Sequence, residues 1–347
     1  MPNLPEEKRI IETTLLPENA GKRLDQYLAD RFTYRSRTQW QEAVSRGEIL
    51  LNGKSVRSSR VLRSGDVLAF VPDEATLQEP FVDTSYLVLL ERKDFFAVAK
   101  PPAIPVHPSG RFFHNTLLKV VEKDFGKVYL VNRLDRETSG VTLFAKDPET
   151  AKILSRLFEE RKVEKKYLAI VHGSFPDTAF TAGGILTQDE FSPVNKKRRF
   201  IPDEKTLTFL HSLQSYSGRK RFAPLKKNQD FEECATFFSP VKIGRKMSIV
   251  EVTPSTGRLH QIRAVLCSLG FPMAGDKLYG LDDTFFLKYT KELLTEEDKK
   301  ILLLSHQALH AQSISFSFPG EKDPIFIKAP MPEEFLHLYQ KIMSAIL

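Results

Sequence analysis

Apolar residues over the first 70 positions recur at the spacing of two short helices. Those of the first helix share one face because they lie three or four positions apart: Leu24, Tyr27, Leu28 and Phe32. A second helix is predicted after Ser36, since Gln39 three residues later completes a capping box. Its apolar face includes Trp40. We expect this ring in the core, because aromatic residues on a periodic apolar face are usually buried.

Two turn signals follow these helices and predict a short β-ribbon. Asn52-Gly53 comes directly after the apolar run at residues 49–51, and Asn-Gly is typical of a two-residue hairpin turn. Ser64-Gly65-Asp66 precedes a second apolar run at residues 67–71. The pattern therefore predicts a small α/β domain over residues 21–72, with an N-terminal tail over residues 1–20 and a linker over residues 73–91.

The remaining residues, 92–347, are predicted to form a larger domain of strands and helices. Apolar runs predict strands at residues 95–99, 128–131, 141–145 and 166–171. A helix is expected after Asp147-Pro148, a capping residue followed by proline at the first helical position. Another is expected from near Gly257 to Gly270. A polar turn at residues 132–140 separates two of the strands. We regard this turn as the candidate position for catalytic residues.

The composition is that of a globular chain in a reducing compartment. The 347 residues are 41% hydrophobic and include two cysteines, which excludes a disulfide scaffold and a cysteine-rich zinc site. The longest apolar stretches, at residues 86–90, 95–99 and 301–304, are far shorter than the roughly 18 residues of a membrane-spanning helix. The charged N-terminus lacks an apolar segment, so no secretory signal is expected. We therefore expect a cytoplasmic protein with no membrane partner.

Basic residues are concentrated in the small domain. The whole chain carries a net charge of +7, and residues 21–72 hold ten Lys or Arg against five Asp or Glu. A small basic domain usually binds a polyanion; a solvated charged face is the alternative, and the charge alone does not decide between the two. Arg35 and Arg37 lie at the predicted helix junction, where they can reach phosphates together with the helix N-terminus.

Two polar positions in the larger domain are candidates for chemistry. Asp135 lies between Arg133 and Arg136. Neighbouring cations favour its ionised form, which can act as a nucleophile or a general base. From this turn alone a surface salt bridge is the better explanation, because Asp is common in turns. Arg258 falls in the first turn of the helix predicted from Gly257, where the helix dipole disfavours a cation. A partner carboxylate or phosphate would offset this cost, although an exposed arginine can simply tolerate it.

The small domain resembles the S4 RNA-binding domain. The residues that carry the likeness occur in family order over nearly the whole segment: Arg23-Leu24-Asp25-Gln26-Tyr27-Leu28, Ser36-Arg37, Gly47, Leu51-Asn52-Gly53-Lys54 and Gly65-Asp66-Val67. The resemblance implies that the partner is RNA. It makes basic residues of this domain the candidates for phosphate contacts: Lys22, Arg23, Arg35, Arg37 and Lys54.

The larger domain resembles the RluA-type pseudouridine synthases. Five motifs occur in family order: Arg133-Leu134-Asp135 with Thr138-Ser139-Gly140, the strand from Lys166 to Gly173, Gly257-Arg258-Leu259-His260-Gln261-Ile262-Arg263, Gly275-Asp276-Lys277-Leu278-Tyr279-Gly280 and Leu309-His310-Ala311. Three positions depart from the family pattern, with Asn132 in place of His, Leu259 in place of Thr and His306 in place of Arg. Residues 204–232 are longer and more divergent than is typical. These departures bear on the choice of RNA more than on the chemistry.

The resemblance implies an α+β fold with a long mixed, mostly antiparallel sheet, and an isomerase that converts uridine in RNA to pseudouridine. That reaction breaks the N1–C1′ bond, turns the base and rejoins it through C5, and it needs no metal, redox or nucleotide cofactor. The resemblance assigns the catalytic carboxylate to Asp135, paired with Arg258. It places Tyr167 against the base, where the hydroxyl could take the C5 proton; a core aromatic is the alternative. Arg133 is the candidate for moving the target nucleotide out of its stack.

Several functional alternatives stay open. Large-subunit ribosomal RNA is favoured as the substrate, with transfer RNA as the alternative. A catalytically silent S4-type RNA-binding protein is disfavoured by the intact catalytic candidates. A hydrolase using Asp135 and Glu137 would release free uracil and would leave the small domain unexplained. His306 and His310 lie four residues apart without an evident third ligand, so no metal site is expected. A phosphate-binding loop and a dinucleotide motif are both missing from the sequence. A monomer is favoured.

Overall fold

The computed structural model describes residues 11–32, 35–70, 79–109, 112–213, 225 and 229–345. These residues fall into two compact units, one within Met1–Phe81 and Pro108–Asn115 and the other within Val82–His107 and Thr116–Leu347. Parts of several predicted segments lie outside the described residues: residues 1–10 of the tail, residues 33–34 and 71–72 of the small domain, residues 73–78 at the start of the linker, and residues 214–224 and 226–228 of the divergent segment.

The smaller unit combines two helices with a four-stranded antiparallel sheet. Its strands are β1 (Ile11–Thr14), β2 (Ile49–Leu51), β3 (Lys54–Ser55) and β4 (Val67–Phe70), in the order β1-β4-β2-β3. Its helices are α1 (Leu24–Arg31) and α2 (Arg37–Ser45), and a short 3-10 helix covers Pro17–Asn19. Because β1 pairs with β4, residues 11–14 add a strand that the apolar pattern did not indicate.

Local signals in the sequence produce the predicted structures of this unit. Ser36 caps α2 and Gln39 bonds back to it, so the predicted capping box is confirmed. Asn52 and Gly53 both have positive φ, 52° and 73°, as a tight hairpin turn between β2 and β3 requires. Trp40 is buried in the core that the helices and the sheet share, as expected.

The larger unit is built on an eleven-stranded mixed sheet. Its strands are β5 (Leu87–Glu91), β6 (Phe95–Lys100), β7 (Tyr129–Leu130), β8 (Ser139–Ala145), β9 (Glu164–His172), β10 (Phe180–Gln188), β11 (Arg198–Pro202), β12 (Phe231–Lys242), β13 (Met247–Pro254), β14 (Leu309–Phe316) and β15 (Ile325–Lys328). They follow the order β11-β10-β12-β13-β9-β14-β8-β6-β5, with β15 beside β14 and β7 beside β8. Among the described pairs, only β14 with β8 is parallel. The α+β fold with a mixed, mostly antiparallel sheet is confirmed.

Seven helices accompany this sheet in the described residues: α3 (Leu117–Phe125), α4 (Pro148–Glu159), α5 (Glu204–Ser212), α6 (Gln261–Ser268), α7 (Thr284–Thr290), α8 (Glu296–Leu302) and α9 (Glu333–Ser344). Asp147 caps α4 with Pro148 at its first position, as predicted. Within the described ranges no helix has both the length and the apolar surface that crossing a membrane requires.

The parallel contact between β8 and β14 positions the polar turn at residues 132–138. Gly140 of β8 allows this contact, because a Cβ there would lie 2.1 Å from the carbonyl oxygen of Ala311. Its φ of 119° also disfavours any side chain. On its other edge β14 pairs with β9, where Ala311 lies opposite Tyr167. The turn before β8 and the strand that carries Tyr167 therefore flank the same strand.

Helix α6 begins later than the apolar pattern predicts. It starts at Gln261, after His260, which has a left-handed conformation with φ 56°; the predicted start near Gly257 is wrong. Arg258 therefore precedes the first turn, and the helix-dipole argument does not apply to it. The cation in the first turn is Arg263.

Candidate active site

The polar turn before β8 holds Asp135 against the first turn of α6. Oδ2 of Asp135 accepts a hydrogen bond from Nη1 of Arg263 at 2.7 Å, and 27% of the Asp135 side chain is exposed. Burial by itself raises the pKa of this carboxyl, but the charge of Arg263 outweighs it and holds the pKa below its ordinary value. Asp135 is therefore an anion at neutral pH. Among the described residues, its Oδ1 has no hydrogen-bond partner.

Arg263 is itself fixed by Asp276, a fully buried carboxylate. Nε and Nη2 of Arg263 donate to the two carboxylate oxygens at 2.7 and 2.9 Å. The backbone N–H groups of Leu278 and Tyr279 donate to the same carboxylate at 3.0 and 2.9 Å. Burial raises the pKa of Asp276, and the charge of Arg263 with these hydrogen bonds outweighs that effect and lowers it. The guanidinium is thus held in place and presents its remaining nitrogen to Asp135.

The predicted partner of Asp135, Arg258, makes other contacts. Its Nη1 lies 3.5 Å from Oε1 of Glu232, and 40% of its side chain is exposed. Its Nε donates to the carbonyl of Glu233 at 3.3 Å. The predicted pairing of Arg258 with Asp135 is therefore wrong, and Arg263, the second arginine of the same motif, makes that contact. The reason is the helix start, since Arg263 lies inside the first turn of α6 and Arg258 lies before it.

Tyr167 lies on β9, across β14 from the Asp135 turn. Its backbone pairs with Ala311 of β14 and with Val252 of β13. Burial and, to a smaller extent, the negative charge of Asp135 raise the pKa of Tyr167 to about 12, so the phenol is neutral at pH 7. In the described part of the chain its hydroxyl has no hydrogen-bond partner. The structure thus brings Tyr167 and Asp135 within electrostatic reach of each other.

Lys100 anchors the Asp135 turn, and the sequence analysis missed it. From the end of β6 its Nζ donates to the backbone carbonyls of Pro101, Ile104 and Arg136, each at 2.8 Å. The side chain is buried, and burial lowers its pKa to about 7. A lone charged residue that ends an apolar run and directly precedes two prolines was the signal in the sequence.

Side chains from a later motif and from the segment before β14 fix the rest of the turn. Glu137 accepts a hydrogen bond from Nζ of Lys277 at 2.9 Å. The hydroxyl of Thr138 accepts one from the side-chain amide of Gln307 at 2.5 Å. Glu137 is therefore occupied by an ion pair, which leaves Asp135 as the carboxylate of this turn that is open to a ligand.

The two candidate histidines have structural contacts. Nδ1 of His310 lies 2.9 Å from the hydroxyl of Ser139, and its Nε2 lies 3.3 Å from the carbonyl of Ala329. His306 is buried with its Nε2 3.5 Å from Oε2 of Glu334. No group of three or more His, Cys, Asp or Glu converges as a metal site within the described ranges.

Asn132 and Leu259, two of the three departures from the family pattern, lie beside motif residues and leave the contacts of those residues intact. Asn132 accepts a hydrogen bond from the backbone N–H of Leu143 at 2.7 Å, so its amide ties the turn to β8. Leu259 is exposed. Arg133, which follows Asn132, is also exposed, with its Nη1 3.5 Å from Nε2 of His107.

The RNA-binding candidates of the smaller unit differ in their surroundings. The buried carboxylate of Asp25 accepts hydrogen bonds from Arg23 at 3.1 Å and from Arg37 at 3.0 Å, and these arginines are 45% and 49% exposed. Arg35 is 15% exposed and donates to Glu48 at 2.7 Å. Arg35 therefore belongs to the packing of the unit. Two further candidates are exposed: Lys22 and Lys54.

Comparisons with known proteins give a match for each of the two units. Residues 94–268 match the family model of the RNA pseudouridylate synthases, and residues 22–68 match that of the S4 domain. A Helicobacter pylori protein named as an uncharacterized RNA pseudouridine synthase is 31% identical over 301 residues, which cover 85% of this chain and 86% of the relative. The ribosomal large subunit pseudouridine synthase D of Xylella fastidiosa is 30% identical over 336 residues, 94% of this chain and 91% of the relative. The solved human RNA pseudouridylate synthase domain containing 4 has a similar fold, with a TM-score of 0.54 at 24% identity, over 74% of this chain and 93% of that one.

Proposed function

The chain belongs to the RNA pseudouridylate synthase family, and from this premise we propose that it isomerises uridines of large-subunit ribosomal RNA with Asp135 as the catalytic carboxylate. RNA is its substrate class and isomerisation is its reaction. The observation that carries the proposal is the ion pair between Asp135 and Arg263, together with Tyr167, whose hydroxyl has no hydrogen-bond partner among the described residues and whose pKa is raised by burial and by the charge of Asp135.

Asp135 is proposed to start the reaction through its Oδ1. A carboxylate can attack C1′ or assist elimination in the sugar, and either route requires it to be ionised. Arg263 supports the ionised form while it occupies only Oδ2. The N1–C1′ bond then breaks, the base turns, C5 bonds to C1′, and the C5 proton leaves while N1 gains one. Atoms and charge balance without a cofactor.

Tyr167 is proposed to lie against the target base. A phenol with a pKa near 12 keeps its proton at pH 7. The hydroxyl can therefore pass on the C5 proton as a neutral relay and does not act as a standing phenolate base. This role needs the hydroxyl to be open to substrate, in line with its lack of a partner in the described residues.

RNA positioning is proposed to involve exposed arginines of both units. The target nucleotide must leave its stack, which costs a few kcal/mol, and the exposed Arg133 is the candidate for this step. In the smaller unit we propose phosphate contacts for Arg23, Arg37 and two exposed lysines: Lys22 and Lys54. Arg35 is not proposed for this role because its guanidinium is paired with Glu48.

The proposal of ribosomal RNA rests on the relative from Xylella fastidiosa, which matches over 94% of this chain. We also propose that the protein acts as a monomer in the cytoplasm. The sequence has two cysteines in 347 residues, as expected of a reducing compartment.

The test uses unmodified ribosomal and transfer RNA that carry tritium at C5 of uridine. Purified protein is expected to release tritium to water from ribosomal RNA, and the Asp135→Ala variant is expected to release none. Tritium release from transfer RNA alone would show that transfer RNA, and not ribosomal RNA, is the substrate. Free uracil as the product would show that the reaction is hydrolysis and not isomerisation. Binding of both RNAs without release from either would contradict the proposed activity on these RNAs, and release by Asp135→Ala would contradict the assignment of Asp135.

A further inference from the structure

The turn that fixes Arg263 through Asp276 also contacts His260 through Tyr279. The hydroxyl oxygen of Tyr279 lies 2.9 Å from Nδ1 of His260. The same oxygen accepts a hydrogen bond from the backbone N–H of Arg198 at 2.8 Å. Tyr279 is buried, with 1% of its surface exposed. Its backbone N–H binds Asp276, the residue that holds Arg263.

The hydrogen bonds around Tyr279 determine which nitrogen of His260 carries a proton. Because the Tyr279 oxygen already accepts from Arg198, its own proton must go to an acceptor, and Nδ1 of His260 is the one in reach among the described residues. The opposite arrangement would leave a buried hydroxyl proton without a partner, which is unfavourable. Nδ1 is therefore an acceptor, and the neutral imidazole carries its hydrogen on Nε2.

His260 is neutral at physiological pH. Burial, together with the positive charge of Arg263, lowers the pKa of His260 to about 4, although Asp135 and Asp276 act in the opposite direction. The rings of His260 and Tyr279 have their centroids 5.5 Å apart, and Cζ of Arg263 lies 4.8 Å from the centroid of the same Tyr279 ring, so the imidazole lies near the proposed catalytic ion pair. Burial also raises the pKa of Tyr279, so the hydroxyl keeps the proton that it donates.

Nε2 of His260 is available to a ligand. In the described part of the chain this nitrogen has no hydrogen-bond partner. It is also not one of the fully buried side-chain atoms without a partner, so a ligand can reach it. His260 occupies the left-handed region with φ 56°, a conformation that is rare for residues with a side chain. Such strain is typical of positions that a functional site holds in place.

We propose that Nε2–H of His260 donates a hydrogen bond to a carbonyl oxygen of the target uracil. When the N1–C1′ bond breaks, its electron pair moves into the base and increases the negative charge on O2 and O4. A donor aimed at one of these oxygens stabilises that state more than the ground state. A neutral donor also leaves the pairing of Arg263 with Asp135 undisturbed. No proton is transferred in this contact. The inference rests on the proposed function, because it takes Asp135 to be the group beside the target nucleotide.

The test measures single-turnover rates with RNAs that carry uridine, 2-thiouridine or 4-thiouridine at the target position. Sulfur accepts hydrogen bonds more weakly than oxygen, so the contacted position can be identified. His260→Ala is expected to slow the reaction on uridine by about 10²-fold. His260→Gln, whose amide N–H can take the place of Nε2–H, is expected to recover at least a tenfold part of that loss. One of the two thio substitutions should slow the wild type about tenfold more than it slows His260→Ala.

A matched variant controls for the strained backbone. Arg161 also has positive φ, 58°, and is exposed, so Arg161→Ala changes the same backbone preference away from the site and is expected to keep the wild-type rate. Equal thio effects in the wild type and His260→Ala at both positions would overturn the proposal. So would a loss confined to RNA affinity with a weaker salt dependence, which indicates a phosphate contact. An inactive wild type, or an active Asp135→Ala variant, would instead contradict the proposed function.

Discussion

Nη1 of Arg263 lies 2.7 Å from Oδ2 of Asp135, and this contact connects the proposed catalytic carboxylate to the core of the protein. The other two guanidinium nitrogens of Arg263 are bound to Asp276, which is itself fixed by backbone N–H groups. The ion pair is therefore preorganised, in the sense that substrate binding does not have to assemble it.

The two arginines of one motif are expected to respond differently to substitution. Arg263→Ala leaves two carboxylates without their cation, one of them fully buried. It should lower the rate by at least about 10²-fold and the free energy of unfolding by about 3–5 kcal/mol. Arg258→Ala removes an exposed contact with Glu232 and should change stability by about 1 kcal/mol or less. Tritium release and thermal unfolding of both variants check this, and equal losses would contradict the assignment.

The pH dependence of the rate should change when the charge of Arg263 is removed. In the wild type the pKa of Asp135 lies below its ordinary value, so the carboxylate is ionised and the rate is flat over roughly pH 5–8. In Arg263→Gln burial remains without the opposing charge, and the pKa of Asp135 rises. Its ionised fraction, and hence the rate, should then increase with pH over roughly pH 4–7. A flat single-turnover profile for the variant would contradict this.

Lys100→Met is expected to weaken the Asp135 turn. The substitution leaves three carbonyls without the donor that joins them and should lower the free energy of unfolding by about 3 kcal/mol. The rate should fall as well, because the carbonyl of Arg136 follows directly on Asp135. Lys146→Met, at a partly exposed lysine paired with Glu91, is the control and should cost about 1 kcal/mol or less. Denaturant unfolding measures both, and equal costs would show that Lys100 is not an anchor.

Local sequence signals were sufficient for the capped second helix and the hairpin turn of the smaller unit, but not for its strand β1. The capping box at Ser36 and the turn at Asn52-Gly53 involve residues a few positions apart, so their chemistry is visible in the sequence itself. Asp135 and Tyr167 could be proposed because both lie in motifs of a known family. The mixed, mostly antiparallel sheet was expected from that resemblance, whereas the parallel pairing of β14 with β8 was not predicted.

The residues that sequence reasoning missed depend on contacts between distant segments. Arg263 was overlooked because the start of α6 depends on the left-handed conformation of His260, which the apolar pattern does not reveal. Lys100 was overlooked because one of its acceptors, the carbonyl of Arg136, lies 36 residues away. The pairing of Arg35 with Glu48 likewise appears only after folding.

In the smaller unit, Arg37 and Arg35 are expected to show different defects. Arg37→Ala removes an exposed cation and leaves Asp25 with Arg23. It should weaken RNA binding for all sequences alike and reduce the slope of log K against log salt by about one. Arg35→Ala breaks a mostly buried pair with Glu48 and should lower the free energy of unfolding by about 2 kcal/mol. Salt-dependent binding curves and thermal unfolding separate the two, and an unchanged salt slope in Arg37→Ala would contradict the phosphate contact.

Gly140→Ala should separate β8 from β14 and thereby displace the Asp135 turn. A methyl group at this position would lie 2.1 Å from the carbonyl oxygen of Ala311, which is backbone and cannot rotate away. We expect a loss of about 4 kcal/mol or more in the free energy of unfolding and a loss of tritium release. Gly320→Ala is the control, because Gly320 also has positive φ, 88°, but has open space around its Cβ position. Its backbone conformation alone should cost about 1–2 kcal/mol, with the rate unchanged. If both variants lose equal stability, positive φ and not the contact between β8 and β14 accounts for the glycine.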